Sequence, residues 1–353
     1  MKPNNTNYLP GLNGIRAIAL LVVLYCHICL FIEGFGFQRN VLPTSMKGSL
    51  AVTLFFVLSG FLITHLILKE KDKNGTVDIK SFYFRRALRI WPIYFIVLFL
   101  SLMLHYDTII HSQNVPLKLL LYSFFATNVA FVTNLSIVGL THLWSVGVEE
   151  QFYLFWPWII KKVKKPLPVL VALFVVLQII LVLLRFFEFG VFFDFFFQSR
   201  FDSMIMGAGV AYLAYTNHPI LSFFKLKATQ VICWIMFVVP FFVTSKWIPD
   251  IIENQFFSFF YAIIIYNVSF NANTILRLEN AIFNWIGKIS YGAYVYHMLV
   301  LNSVGILVKG KLTNPWLLIP LTILPTLVVA HFSYIYIEKP FLKYKERYNR
   351  LAK

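Results

Sequence analysis

The sequence contains few charged residues and few cysteines. Charged side chains make up 13% of its 353 residues, whereas an ordinary soluble domain carries about a quarter. Hydrophobic residues make up 59%, and only a lipid bilayer can cover that much apolar surface, which excludes a water-soluble fold. Because Cys26, Cys29 and Cys233 all lie in apolar runs, the pattern indicates neither a disulfide framework nor a zinc site, and we predict no metal.

Acidic residues are also scarce: there are 15 of them against 31 lysines and arginines, which leaves a net charge of +16. On a soluble protein this balance would indicate nucleic-acid binding. Here the basic residues cluster in short loops between apolar stretches, which is typical of positive-inside sorting in a membrane protein. We therefore predict the lipid bilayer as a partner and no binding of nucleic acid.

Ten apolar stretches are predicted to cross the membrane as helices. They begin near Leu12, Gly48, Ile90, Trp144, Leu167, Arg200, Ala228, Phe256, Ile286 and Trp316. An eleventh stretch, Leu117–Val132, is ambiguous. If it does not cross, 23 of the 31 basic residues lie on the cytoplasmic side, and if it crosses only 14 do. The positive-inside rule thus favours an all-α integral membrane bundle of about ten transmembrane helices, with both termini cytoplasmic. Residues from His105 to Thr141 would form one re-entrant or interfacial outer segment.

Two ionisable residues lie on one face of the first helix. Arg16 and His27 are eleven positions apart, which returns to within about 20° of the same face over roughly 16 Å of helix axis. A charge within a span is costly and marks a functional site by default. The alternatives are an arginine that snorkels to the inner interface and a packing histidine.

Two further segments carry ionisable residues into the spans. Arg85, Arg86 and Arg89 enter the third helix from the cytoplasm, and arginine forks suit phosphate, although positive-inside sorting also explains them. His142, Ser145 and Glu149 enter the fourth helix from outside. Glu149 shares a helix face with both of the other residues, and its alternative role is a structural ion pair. Looser candidates are Arg200, Asp202, Tyr291, His297 and Glu338.

Together these residues predict an inner phosphate site, a polar tunnel and an outer histidine with a nearby carboxylate. A long donor with a phosphorylated head and a reactive tip would match this arrangement. A proton-coupled transporter or flippase is the alternative, because buried His, Glu and Arg also suit proton relays. Against it, the halves of the chain show no internal symmetry. A purely structural membrane protein should carry no buried charges.

The segments resemble the acyltransferase-3 family of bacterial membrane acyltransferases, from about Tyr8 to Phe341. The matching strings include Arg16 and His27 as R-x10-H, Arg86 and Arg89 as R-x-x-R, and "HLWSVGVEEQFYLFWP" with Glu149 and Tyr153. Further matches are "FFVLSGFLI" at Phe55–Ile63, "SRFDSMIMGAGVAYL", "ISYGAYVYH" and "IEKP". Asn13 stands where the family usually has an acidic residue, so that position is given no catalytic role.

The resemblance implies a single transmembrane acyltransferase domain over residues 1–353, with 342–353 as a short basic cytoplasmic tail. It implies a multi-pass protein of the bacterial inner membrane that moves an acyl group, usually acetyl, from cytoplasmic acetyl-CoA to a hydroxyl of a glycan outside the cytoplasm. Arg85, Arg86 and Arg89 would hold the coenzyme A phosphates. The catalytic candidates are His27, Glu149 and Arg16, with His27 as general base or as acyl carrier.

The remaining cavity candidates are Ser145, His142, Tyr153, Arg200, Tyr291 and His297. Many family members carry a fused esterase-like domain outside the cytoplasm. Since this chain ends about a dozen residues after Phe341, we expect that domain to be missing. Either the membrane domain then completes the transfer alone or a separate esterase-like partner finishes it.

Overall fold

The structure is a computed structural model that describes residues 9–38, 41–42, 48–241 and 249–346. Within these ranges the chain is all-helical, which confirms the all-α part of the predicted fold class. Its α-helices are α1 Leu12–Leu30, α2 Gly48–Asn74, α3 Ile79–Leu104, α4 Tyr106–Ile110, α5 Val115–Ser123, α6 Thr127–Val132, α7 Trp144–Lys162, α8 Pro166–Phe186, α9 Gly190–Ser199, α10 Phe201–Tyr215, α11 Leu221–Lys225, α12 Lys227–Val238, α13 Asp250–Phe270, α14 Ala281–Val308, α15 Leu318–Ser333 and α16 Lys339–Glu346.

Short 3₁₀ and π turns extend several of these helices. The 3₁₀ turns are Ile32–Phe35, Thr141–Leu143, Val239–Phe241 and Pro315–Leu317, and a π turn at Tyr334–Glu338 joins α15 to α16. The predicted basic tail at 342–353 lies largely outside the described residues, because the description ends at 346.

Seven helices in the described ranges are long and apolar enough to span a membrane. They are Leu12–Leu30, Gly48–Asn74, Ile79–Leu104, Pro166–Phe186, Ile251–Phe270, Ala281–Val308 and Pro315–Tyr344. The other three predicted spans do form helices, namely α7, α10 and α12. However, α10 has 15 residues and α12 has 12, so at about 1.5 Å per residue both are shorter than the roughly 30 Å hydrocarbon core. The count of about ten crossings therefore stays a prediction.

The third span begins earlier than its apolar pattern indicated. Helix α3 starts at Ile79, where the Asp78 side chain accepts a hydrogen bond from the Ser81 backbone N–H at 3.2 Å. Such a cap satisfies a backbone donor that the first turn leaves unpaired. Arg85, Arg86 and Arg89 consequently lie within α3 rather than in front of it, and the helix fixes the directions in which they point.

The ambiguous stretch Leu117–Val132 does not form one long helix. It is divided between α5 and α6, which have nine and six residues. The break falls at Phe125, whose φ of +56° lies in the left-handed region, where an L residue cannot continue a right-handed helix. Neither piece reaches spanning length, and a re-entrant course of this segment stays a prediction.

Helix α2 lies at the centre of the bundle and α8 at its edge. In the apolar window of α2, 78% of the residues are buried within the protein, against 11% in α8. Helix α2 packs directly on α10 because Gly60 and Gly207 let the two backbones approach closely: a Cβ on Gly60 would lie 1.9 Å from the Met204 carbonyl oxygen. Small residues allow the same close approach in other membrane helix pairs. Helix α1 packs on α14 in turn.

Candidate active site

A polar cavity of about 100 Å³ lies between α1, α2, α3, α7 and α14. A single water occupies roughly 10–15 Å³ on this measure, so the cavity has room for a narrow polar chain. Its polar lining consists of Arg16, Ser59, Arg86, Arg89, Ser145, Glu149, Tyr153, Ser290, Tyr291 and Tyr294. Seven of the candidates selected from the sequence therefore line one space: Arg16, Arg86, Arg89, Ser145, Glu149, Tyr153 and Tyr291.

Three arginines give this cavity an excess of positive charge. The Arg86 guanidinium lies over the rings of Phe82 and Tyr153, at 5.7 and 5.4 Å from their centroids. Its Nε is buried and has no hydrogen-bond partner among the described residues. Arg16 donates a long hydrogen bond of 3.4 Å to Asn13 Oδ1, and this neutral amide does not balance the guanidinium charge. A buried donor without a partner is costly, which suits a site completed by an anionic ligand.

Glu149 is the one carboxylate among the described residues that line this cavity. Its Oε1 accepts a hydrogen bond from Ser59 Oγ at 2.7 Å, and its Oε2 accepts one from the Tyr153 hydroxyl at 3.1 Å. Both bonds fix the carboxylate on the cavity wall that α2 and α7 share. One acid against Arg16, Arg86 and Arg89 leaves the lining positively charged even when Glu149 is ionised.

The cavity lining includes a hydroxyl pair that contacts His142. Ser145 Oγ lies 2.6 Å from the Tyr294 hydroxyl. That hydroxyl donates to the His142 carbonyl oxygen at 2.7 Å. The His142 ring in turn lies 5.5 Å from the Tyr294 ring, measured between centroids. Tyr294 thus touches both the cavity and the region beyond it.

Three histidines from distant parts of the chain meet beyond this hydroxyl pair. His297 Nε2 lies 3.3 Å from His27 Nδ1, and the His142 and His297 ring centroids are 4.6 Å apart. Each ring also faces a backbone carbonyl: His27 Nδ1 that of Val23 at 3.0 Å, His142 Nε2 that of Val295 at 3.2 Å, and His297 Nδ1 that of Tyr294. In the described ranges no set of three His, Cys, Asp or Glu side chains is arranged to hold a metal ion.

The histidine cluster and the arginine cavity are neighbours rather than one open space. His27, His142 and His297 are absent from the cavity lining, and they are connected to it through Ser145 and Tyr294. Tyr294 and His297 are three positions apart on α14, so one helical turn separates the hydroxyl at the cavity end from the imidazole.

Two other candidates lie elsewhere. Arg85 forms an ion pair with Glu70 at 2.9 Å and does not line the cavity. Its role in donor binding therefore stays a prediction. Arg200 is buried, donates to Thr53 Oγ1 at 2.6 Å, and lies over the Trp144 ring at 5.7 Å. It belongs to a separate polar group with Thr53 between α2 and α10.

Sequence reasoning did not select Ser59 or Tyr294. Ser59 is a hydroxyl within an otherwise apolar part of α2, and Tyr294 lies three positions from both Tyr291 and His297. A search for every hydroxyl on the helix faces of the ionisable residues would have found both. Neither residue carries a charge, so the cost of burial gave no signal for them.

Comparison with known proteins assigns the chain to a family. The family model of the acyltransferase domain, acyltransferase family 3, matches residues 9–334. A Staphylococcus aureus (strain COL) protein provisionally named an O-acetyltransferase is 29% identical over 97% of this chain and 58% of its own length.

Two relatives have more specific names. Peptidoglycan O-acetyltransferase OatA of Listeria monocytogenes is 25% identical over 95% of this chain and 56% of its own. O-acetyltransferase OatA of Staphylococcus aureus is 27% identical over 97% of this chain and 58% of its own. The chain therefore spans rather more than half the length of these relatives. No solved structure matches it. The family match over residues 9–334 establishes that the chain belongs to the acyltransferase-3 family.

Proposed function

We propose that the protein is a membrane O-acyltransferase that moves an acyl group from acyl-CoA to a hydroxyl of a glycan or glycan-like acceptor outside the cytoplasm. The observation that carries this proposal is the adjacency of two sites. Ser145 and Tyr294 line an arginine-rich cavity, and His297 of the histidine cluster lies one helical turn further along α14. A donor tip held in the cavity would then lie close to an imidazole.

Arg86 and Arg89 would bind the phosphates of the donor. Guanidinium groups bind phosphate oxygens with paired, charge-assisted hydrogen bonds, and Arg86 Nε lacks a partner in the described part of the chain. Arg16 would line the path of the pantetheine arm. Glu149, held by Ser59 and Tyr153, would balance part of the arginine charge without closing the cavity.

His27 would carry the chemistry. As general base, its ring nitrogen takes the proton of the acceptor hydroxyl while that oxygen attacks the thioester carbonyl, and the proton then passes to the departing thiolate of coenzyme A. As nucleophile, the ring nitrogen attacks the thioester carbonyl and expels the coenzyme A thiolate. The acceptor oxygen then attacks the acyl group, the neutral imidazole leaves, and the hydroxyl proton passes to the thiolate. Both routes release free coenzyme A and an ester, and both require the donor tip and the acceptor to reach His27.

A second pocket would bind the acceptor near the end of α1. This pocket, about 350 Å³ in volume, lies between the ends of α1 and α14 and the outer segment, and Phe31, His105, Asn302 and Lys309 are among its lining residues. Phe31 follows His27 by one helical turn. Ligand sites are commonly lined by apolar and aromatic side chains with a few polar groups such as amides. A sugar ring has apolar C–H faces and polar hydroxyls, so it matches such a lining.

A glycan acceptor and an acetyl group are supported by the names of the relatives, which are O-acetyltransferases, one of them a peptidoglycan O-acetyltransferase. The distribution of basic residues supports cytoplasmic termini, and the relatives are bacterial proteins. With this orientation the arginine cavity would face the acyl-CoA pool and the histidines would face outward. Either the membrane domain completes the transfer to the acceptor alone, or a separate esterase-like partner finishes it.

The test measures donor binding and acceptor acylation separately. Wild-type protein in lipid nanodiscs should bind acetyl-CoA, and cells that express it should gain base-labile acetate on their surface glycans. The variant His27→Ala should still bind acetyl-CoA and should add no acetate. Undiminished acetate in that variant would remove His27 from the mechanism. Wild-type protein that binds no acetyl-CoA would favour the transporter alternative.

A further inference from the structure

The geometry points to His297 as a positioning residue that accepts a hydrogen bond from His27 and thereby keeps the other His27 nitrogen basic. This inference rests on the proposed function, which assigns the acyl-transfer chemistry to His27. The contact itself is independent of that assignment: His297 Nε2 lies 3.3 Å from His27 Nδ1, across 270 residues of sequence.

The positions of the ring protons follow from the neighbours of each nitrogen. His297 Nδ1 faces the Tyr294 carbonyl oxygen, which can only accept, so this nitrogen carries the proton of the neutral ring. His297 Nε2 is then a lone pair. His27 Nδ1 faces that lone pair and also the Val23 carbonyl oxygen at 3.0 Å. Two acceptors require His27 Nδ1 to be the donor, which leaves its Nε2 unprotonated and able to act as a base.

An imidazole in this role keeps the site electrically neutral. In soluble hydrolases a carboxylate commonly holds the catalytic histidine and stabilises its charged form. Inside a membrane a second buried charge would be expensive unless it were paired. Neutral His297 offers a lone pair in the same place, and its bond to His27 strengthens when His27 becomes an imidazolium, because hydrogen bonds from charged donors are roughly twice as strong.

The same arrangement prevents the proton from leaving through His297. A proton passed from His27 Nδ1 to His297 Nε2 would make His297 an imidazolium, and its onward transfer would require the Nδ1 proton to leave toward the Tyr294 carbonyl, which cannot carry it further. His142 offers no hydrogen-bonded exit either, because its Nε2 faces the Val295 carbonyl and its buried Nδ1 has no partner within the described residues. A proton taken up by His27 Nε2 therefore stays within the His27–His297 pair until the leaving thiolate recovers it.

The first test reads the protons directly. Protein labelled with ¹⁵N-histidine and reconstituted in bilayers should show both His27 and His297 as neutral rings protonated at Nδ1. A through-hydrogen-bond coupling should join His27 Nδ1 to His297 Nε2, and the signals are assigned by their loss in His27→Ala and His297→Gln. A His297 ring protonated at Nε2 would overturn the proposal, and so would a His27 ring protonated at Nε2. This result does not depend on whether the protein acylates a glycan.

The second test uses variants and kinetics. His297→Leu removes the acceptor and should lower kcat about 10- to 150-fold, the range expected for a hydrogen bond to a charged group, with acetyl-CoA affinity unchanged. His297→Gln supplies an amide oxygen near the position of Nε2 and should recover most of the loss. His65→Leu is the matched control, because this buried imidazole makes no hydrogen bond within the described chain and packs against Phe61 and Phe270.

His65→Leu should keep wild-type kcat. Equal losses in His297→Leu and His297→Gln, both with unchanged thermal stability, would mean that the ring rather than an acceptor is needed, and would overturn the proposal. If His297→Leu fails to fold, the kcat of His297→Gln relative to wild type and the nitrogen spectra of the wild-type protein still test the proposal.

Discussion

Replacing the three arginines of α3 one at a time should divide them into two classes. Arg86 and Arg89 line the cavity, whereas Arg85 pairs with Glu70 at 2.9 Å and is absent from the lining. We expect Arg86→Gln and Arg89→Gln to weaken acetyl-CoA binding, and Arg85→Gln to leave it nearly unchanged. Glutamine keeps much of the side-chain length and removes the charge, so the loss reports the missing guanidinium.

The expected magnitude follows from the strength of a single arginine–phosphate contact. A hydrogen bond to a charged group contributes about 1.5–3 kcal/mol, and every 1.4 kcal/mol is a factor of ten in affinity. Each cavity variant should therefore raise the Kd for acetyl-CoA by about 10- to 150-fold. Arg86→Gln should fall toward the upper end, because Arg86 Nε has no hydrogen-bond partner among the described residues and is free to bind a phosphate oxygen.

Arg85→Gln should instead lower thermal stability. Its partner Glu70 has a side chain only 3% exposed, and a buried carboxylate that loses its cation is strongly destabilising. Equilibrium binding of acetyl-CoA to protein in nanodiscs, together with thermal unfolding of the same samples, measures both effects. If Arg85→Gln weakened binding as much as Arg89→Gln, or if neither cavity variant weakened it, the assignment of the cavity to the donor would be wrong.

Three other predictions test the packing, the acceptor pocket and the topology. Gly207→Ala should lower the melting temperature, because its Cβ would lie 2.0 Å from the Val57 carbonyl oxygen, whereas Gly209→Ala has nothing within 4 Å and should not; equal melting temperatures would contradict the close contact of α2 and α10. Asn302→Leu should raise the KM for the acceptor and leave acetyl-CoA affinity unchanged, and an unaltered acceptor KM would exclude the outer pocket as the acceptor path. Single cysteines at Asn74 and Lys162 should be protected from an impermeant thiol reagent in intact cells, and labelling at position 162 from outside would mean that Leu117–Val132 crosses.

The positions of the site residues along each helix were predictable from periodicity. The spacing of Arg16, Arg86, Arg89 and Glu149 within their own helices indicated which residues share a face, and the structure brings these four side chains to one cavity. The cost of burying charge drew attention to them. Ser59 and Tyr294 gave no such signal, although Ser59 donates a hydrogen bond to Glu149 and Tyr294 connects the cavity lining to His142.

The sequence by itself determined the class of the protein, the identity of most of its helices, and its family. Low charge, long apolar runs and basic loops are local properties of the chain, so they can be identified without knowing its tertiary contacts. Periodicity also assigned the side chains of each helix to faces, because an α-helix turns by a fixed angle per residue.

Tertiary structure alone decided which faces meet. Periodicity could not separate Arg85 from Arg86, since the partner of Arg85 is Glu70 on another helix. Nor could it bring His27, His142 and His297 together, because their contacts join α1, α14 and the turn before α7. Contacts between helices depend on how closely their backbones pack. Small residues such as Gly60 and Gly207 allow close packing of α2 and α10, but the sequence does not show which helix will lie opposite them.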